Sequence, residues 1–529
     1  MNKNIAVSAQ DSMNAILSEV AGMLPGSECM GNGLAKIDRV QMDSRHVQSG
    51  DLFLALKGER FDAHDFLADI AKTPNVSVVV QKSFAPTIRE YSLDAVCVED
   101  TKEALGTFAK AWRVKHGVPL IGVTGSNGKT TVTQMIASIL KAYAGENALA
   151  TQGNLNNDIG LPQTLLRLRA HHTCAVVELG MNHPGEIEYL ANLAQPSVGL
   201  INNAQREHQE FMSTVEAVAK ENGQVIHALG SAGVAVFPAD DEFTPLWTAM
   251  CGAKPYVTFS DVQASTAPVR LSSSSFKDGV WTIGVQTPAG PLETQLHIAG
   301  QHNVKNALAA IACCLAIQIP LPKIVQGLSE FRAVKGRSRP LQLNFRSNTD
   351  RVIKDSFVDV IDDTYNANPD SVIAAINVLA HMKKPTLLIL GDMGEVGTQG
   401  PSYHKEVGEY AAQQGVNCVY ALGELSRHTV DAFNQGALIT TGSATKESAT
   451  KGSTNTDTVG VHFPSMESLI ENLTKAFSTT PAPFKSVLVK GSRFMKMEQS
   501  VQALEMLEDS LLQNNIVQVS AQNKESTCC

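Results

Sequence analysis

The sequence predicts an α/β protein of three domains, the central one built on a parallel sheet. Three observations lead there. The chain has 529 residues, too many for one hydrophobic core and enough for about three domains. Short apolar runs ending in polar residues recur along it, separated by segments with apolar residues at helical spacing, as in parallel strands joined by crossover helices. The third is residues 120–131, where Leu-Ile-Gly-Val-Thr passes through a glycine-broken turn into Lys-Thr-Thr and a helix-forming segment.

Composition narrows the function classes. Hydrophobic residues make up 43% and charged residues 18% of the chain, the balance of an ordinary globular protein. A net charge of -9, with no basic run, argues against nucleic acid or an anionic membrane as partner. The longest apolar run, Ala307 to Ile317, is too short to cross a bilayer and reads as a buried helix. The N-terminus lacks a signal-peptide core, and the nine cysteines form no C-x-x-C pair. A cytoplasmic protein with free thiols is expected.

The first domain, residues 1–118, is a smaller α/β unit. Residues 51–56 and 76–80 read as strands and 104–115 as a helix, and Gly117-Val118-Pro119 breaks the chain after it. The second, residues 119–338, continues the alternation through strands at 175–179 and 197–201 to a break near Gly336–Pro340. The third, residues 339–517, has apolar strands at 358–363, 385–392 and 486–491, again ending in charge, and is expected to be Rossmann-like. The Ser/Thr/Gly-rich run 442–460 and the polar tail 518–529 read as unstructured.

Thr124-Gly125-Ser126-Asn127-Gly128-Lys129-Thr130-Thr131 has the layout of a phosphate cradle. Glycines let backbone N–H groups face an anion, the helix N-terminus adds its dipole, Lys129 supplies a cation, and the Thr130 hydroxyl is placed for Mg²⁺. The strict G-x-x-x-x-G-K-[ST] spacing is not met, because Val123 stands where its first glycine belongs. It is a variant P-loop.

Ligands of parallel sheets gather at the C-terminal ends of strands. Glu178 ends one such strand and is a candidate Mg²⁺ ligand facing the loop; a structural ion pair is the plainer reading. His208 follows the next strand and is a second candidate, although a lone histidine is more often a satisfied side chain. Asn303 and Asn306 lie one helical turn apart, so both amides can meet one ligand edge. Arg337 suits a phosphate. Asp362, Tyr365, Asn366 and Asn368 crowd a strand-to-helix turn, and Lys490, Ser492 and Arg493 form a basic loop after another strand.

Together these segments resemble the Mur ligase family, over about residues 42–498. Residues 43–56 follow its D-S-R-x-V-x-x-G-D-L-F-x-A-L pattern, and T-G-x-N-G-K-T-T is its ATP loop. The strings Asp363–Pro369, Gly391–Glu395, Lys490–Arg493 and Thr151–Gly160 are similar to the branch that adds a D-alanyl-D-alanine dipeptide. The resemblance implies an ATP- and Mg²⁺-dependent ligase, a monomer, acting on the small molecules UDP-N-acetylmuramoyl-tripeptide and D-alanyl-D-alanine. By the same resemblance Lys129, Glu178 and His208 are catalytic, and Thr130, Glu178 and His208 hold metal. Residues 124–131 with Asn303, Asn306, Arg337 and Asp362 bind the nucleotide. Ser44, Arg45, Asn154, Asn157, Tyr365, Asn366, Asn368, Lys490, Ser492 and Arg493 bind the other substrates. One departure stands out: where the family carries a carbamylated lysine, this chain has Asn222, and Lys220 lies two residues earlier. Either Lys220 substitutes through a local shift or the chain manages without the carbamate; Lys220 is left out of the metal set. Folylpolyglutamate synthase-like ligases share the loop but lack the N-terminal pattern, and a P-loop NTPase motor would carry the strict loop.

Overall fold

The computed structural model describes residues 10–207, 209–212, 214–277, 279–345, 357–441, 458–479 and 481–525. Among these, three main sheets follow one another along the chain. The first has five strands, in the order Glu28–Met30, Asp94–Val98, Ser77–Gln81, Asp51–Leu54, Arg39–Gln41, parallel except for its first pair. Its side chains alternate strictly. Leu52, Leu54 and Val79 enter the core shared with the helix Thr101–Lys115, while Phe53, Val78 and Val80 fill a second core on the other face. Asp100 caps that helix, accepting from the N–H groups of Lys102 and Glu103. Trp112 Nε1 donates to the carbonyl of Leu168 at 3.0 Å, tying the first domain to the second.

The central sheet has nine strands. Leu120–Thr124 lies between Cys174–Glu178 and Val198–Ile201 in parallel, which brings Thr124, Glu178 and Asn202 to one edge. The helix Lys129–Ala144 covers one face, with Ile121, Val123, Val132 and Ile136 interleaved beneath it. The helix Leu321–Glu330 crosses its far end closely: Ser138 Oγ donates to the Gly327 carbonyl at 2.7 Å, and a Cβ on Gly327 would stand 2.3 Å from Ile139 Cα. The expected apolar helix is His302–Ala316, buried through Ala307–Cys314.

One expectation fails here. The alternation of strand and helix does not continue to residue 339, because Val269–Lys277, Val280–Thr287 and Gly290–Leu296 form an antiparallel meander on the sheet. Two or so residues between these strands leave no room for a crossover helix.

The third sheet runs Arg339–Asn344, Phe357–Asp363, Ser486–Lys490, Thr386–Gly391, Cys418–Leu422, Val459–Phe463, with only the first pair antiparallel. Helices cover both faces in Rossmann fashion, with separate cores around Ile376, Leu388 and Leu390 and around Val360, Leu387 and Val489. The closing helix is Glu498–Glu525, so the predicted tail is helical over 518–525. Low hydrophobicity does not stop an anchored helix, because adding each residue costs little once the first turns are fixed. Most of the Ser/Thr-rich run, residues 442–457, lies outside the described residues, as do 526–529.

Candidate active site

A cavity of about 850 Å³ opens where the three domains meet. Ser126 to Thr131, Glu178, Asn303, Asn306 and Arg337 line it, together with Asn157, Tyr365, Asn366, Asn368 and Lys490. Most of the expected constellation is thus one site.

The loop needs two glycines for geometric reasons. Gly125 has φ +130°, and a Cβ there would sit 2.9 Å from Asn202 Cβ; Gly128 has φ +83° and precedes the first helical residue, Lys129. The N–H groups of Gly125, Ser126 and Asn127 point inward, to Asn222 Oδ1, the Asn203 carbonyl and Asn203 Oδ1 at 3.0, 3.2 and 2.9 Å. The part of the cradle left to an anion is therefore the first turn of the helix, whose N–H groups have no intrahelical partners, and Lys129. Thr124 stands behind the loop: its hydroxyl lies 2.9 Å from the Leu200 carbonyl and 3.2 Å from that of Asn222, with one proton to donate between them, and it does not line the cavity.

The Lys129 ammonium donates to the carbonyls of Gly125 and Ser126 at 2.6 and 3.0 Å and pairs with Glu207 at 2.9 Å. Glu178 is 2% exposed. Its Oε1 accepts from Asn156 Nδ2 at 2.7 Å and from Thr130 Oγ1 at 3.3 Å, and its Oε2 is buried with no hydrogen-bond partner among the described residues. A buried carboxylate oxygen left in that condition is costly and asks for a cation. Arg337 donates to Thr130 Oγ1 at 3.1 Å and lies over the Tyr365 ring, 3.8 Å from its centroid.

Asn303, Asn306 and Asn202 form a chain of amides: Asn306 donates to Asn303 Oδ1 at 2.8 Å, and Asn202 to Asn306 Oδ1 at 2.9 Å. Neither Asn303 nor Asn306 caps the helix, whose N-cap is Gln301.

Several expected residues stand elsewhere. Asp362 is fully buried and does not reach the cavity; its carboxylate accepts from Gly336 N and Thr364 Oγ1 and so fixes the turn that carries Arg337. Its neighbour Asp363 faces the cavity instead, 2.6 Å from Lys490 Nζ. Burial alone would raise the Asp363 carboxyl, but the Lys490 ammonium holds it below the usual carboxylate range. Burial keeps the adjacent His302 imidazole below its ordinary value. Asn154 is exposed and off the wall, while Asn156, which the sequence reading passed over, touches Glu178. Asn157 lines the cavity and also accepts from Gly160 N at 2.8 Å.

Asn368 caps the helix Pro369–Ala380 and bonds Asn127 across the domain seam at 2.9 Å. Ser492 Oγ donates to the Ala367 carbonyl, and Arg493 pairs with Glu498, so neither reaches the cavity. Ser44 and Arg45 are likewise outside it. Arg45 is exposed and chelates Asp43 at 2.7 and 2.9 Å, which draws the Asp43 carboxyl below the usual range. His208 lies outside the described residues.

The helix Val215–His227 settles where the two departing residues point. Lys220 is exposed and pairs with Glu216 at 2.7 Å. Asn222 is 1% exposed, faces the back of the loop, and does not line the cavity. A second feature had no local signal: Arg206 reaches across to Asp370 and Glu406 of the third domain at 2.6 and 2.8 Å. Burial works against its charge, and the two carboxylates restore it, holding the guanidinium above its ordinary value.

Comparison with known proteins agrees with this layout. Residues 36–113 match the Mur ligase family catalytic domain, 123–314 the Mur ligase middle domain and 350–493 the Mur ligase glutamate ligase domain. The chain is 36% identical over 502 residues to the UDP-N-acetylmuramoyl-tripeptide--D-alanyl-D-alanine ligase of Escherichia coli K12, covering 93% of this chain and 99% of that one. The enzyme of the same name from Haemophilus influenzae is 34% identical, over 90% of this chain and 96% of its own. Among solved structures, MurF from Acinetobacter baumannii superposes with a TM-score of 0.75 at 31% identity, covering 88% of this chain and 93% of that one.

Proposed function

The chain belongs to the Mur ligase family, and from that premise we propose that it joins D-alanyl-D-alanine to the tripeptide carboxylate of UDP-N-acetylmuramoyl-tripeptide, consuming ATP and giving the pentapeptide precursor of peptidoglycan. The observation that carries the nucleotide half is the Lys129–Thr130–Glu178 arrangement at the head of one helix, closed over by Arg337 from the domain junction.

A carboxylate is a poor acyl donor, so its oxygen first takes the γ-phosphoryl group and ADP leaves. The dipeptide amine then attacks the carbonyl carbon of the acyl phosphate, inorganic phosphate departs, and the amine gives up a proton. Lys129 and the helix N-terminus offset the charge of the transferring phosphoryl group. Asn303 and Asn306, on the cavity wall, would take the adenine edge, and Tyr365, Asn366 and Lys490 would take the acceptor. Asn156, which touches Glu178, and Asn157 on the cavity wall would meet the muramyl peptide.

Thr130 Oγ1 and the unpartnered Glu178 Oε2 fit Mg²⁺, a hard cation that takes one or two protein oxygens and completes its shell with phosphates and water. Among the described residues no group of three His, Cys, Asp or Glu forms a fuller cage. Bound there, Mg²⁺ would neutralise phosphate charge; His208 remains the proposed further ligand. The seven described cysteines are unpaired, and no helix of the described residues is long and apolar enough to cross a membrane.

The test is phosphate release. It should require ATP, the UDP-muramyl-tripeptide and D-alanyl-D-alanine together; release without the dipeptide would replace this reading with a simple NTPase. The same assay addresses Asn222. Because Lys220 points to solvent and Asn222 into the loop, bicarbonate should not stimulate the rate, and Lys220→Ala should keep most of it. Strong bicarbonate stimulation lost in Lys220→Ala would show that Lys220 reaches the site after all.

A further inference from the structure

We propose that Glu207 is a positioning residue of the nucleotide site, an internal anion that holds the Lys129 ammonium and that incoming phosphate must displace. This rests on the nucleotide reading of the cavity and goes beyond it, since nothing in the loop's own pattern involves residue 207.

The argument begins with donors. An ammonium has three N–H bonds, and Lys129 Nζ already has three partners: the Gly125 carbonyl at 2.6 Å, the Ser126 carbonyl at 3.0 Å and the Glu207 carboxylate at 2.9 Å. A phosphate oxygen can gain Lys129 only if one of these yields. The two carbonyls belong to the loop backbone, and surrendering them would mean rebuilding it. The carboxylate is the side-chain partner, and it also lines the cavity. Glu207 is 7% exposed and the Lys129 side chain 13%, so the pair is screened far less than one on the surface.

Once displaced from the ammonium, the carboxylate stays close, because the backbone that carries Glu207 is anchored. The segment before it is stitched to the loop: Asn127 Nδ2 donates to Gln205 Oε1 at 2.7 Å, Gln205 N to Ser126 Oγ at 2.9 Å, and Asn203 Nδ2 to the Asn127 carbonyl at 2.9 Å. Arg206 is held by Asp370 and Glu406 of the third domain. The carboxylate therefore stays near the arriving phosphates and repels them unless a cation stands between. Glu207 thus lowers affinity for the nucleotide alone and makes binding lean on Mg²⁺, while keeping Lys129 pointed at the cradle.

The experiment is calorimetric titration of the full chain with ADP, with and without Mg²⁺, comparing the parent with Glu207→Gln. The amide keeps the shape and removes the charge. Without Mg²⁺ the variant should bind ADP roughly five- to tenfold more tightly than the parent, and the gain in affinity on adding Mg²⁺ should shrink by a similar factor. A residue with only a structural role would lower affinity or leave it unchanged, and either result overturns the proposal. Glu207→Asp retains the charge and should keep the strong Mg²⁺ dependence; an Asp variant behaving like Gln would also overturn it. If Glu207→Gln does not fold, Glu207→Ala carries the same expectation. A parent that binds no ADP under either condition sinks the nucleotide reading itself, whereas a parent that binds normally beside an unaltered Gln variant sinks only this inference.

Discussion

Lys129→Ala should leave the protein folded and reduce the rate of phosphate release at least about a hundredfold, corresponding to roughly 3 kcal/mol of lost transition-state stabilisation. The substitution removes the one cation that the loop offers to the transferring group. It also takes from Glu207 the ammonium that now offsets its charge, which adds a ground-state effect: the carboxylate repels the triphosphate more strongly, so KM for ATP should rise as kcat falls. Far-ultraviolet circular dichroism and a melting curve would establish that the fold survives, since Lys129 begins its helix and packs none of its core. A rate within threefold of the parent would remove Lys129 from the chemistry.

Glu178→Gln should raise the Mg²⁺ concentration needed for half-maximal rate by about tenfold or more, the scale seen when groups that support a metal site are altered. The amide is nearly isosteric and can still accept from Asn156, so the change falls on charge. Titrating Mg²⁺ against phosphate release in parent and variant gives the answer. Superimposable curves would return Glu178 to a structural role, as a carboxylate held by Asn156 and Thr130.

The parts of this site that could be read from the sequence are those whose partners lie close along the chain. Strand, turn, Lys-Thr and helix within a dozen residues define the loop, and a spacing of three on a helix places Asn303 beside Asn306. Elsewhere the pattern carries less information. Asp362 and Asp363 are adjacent on one strand, where neighbouring side chains point to opposite faces, so composition alone could not say which one reaches the cavity. Asn154 and Asn156 lie in an irregular segment with no periodicity to separate them. Arg206 and Glu207 matter because of residues 78 to 200 positions away in sequence, and no local pattern encodes such pairs. The N-terminal signature was legible as a family pattern, yet Ser44 and Arg45 lie outside the main cavity. The meander departs from the strand–helix alternation for a different reason: its turns are too short to hold a crossover helix.

Gly327 gives the helix that begins at Lys129 a fulcrum. The close crossing at Ile139 is backbone against helix, with nothing soft to yield, and it lies ten residues from Lys129, or about 15 Å along the axis. Tilting the helix about that point by about four degrees would carry its first residue roughly 1 Å, a displacement large enough to cost a reaction dependent on alignment about two orders of magnitude. The fit of one glycine on the neighbouring helix is thereby a mechanical part of how the ammonium at the other end is aimed.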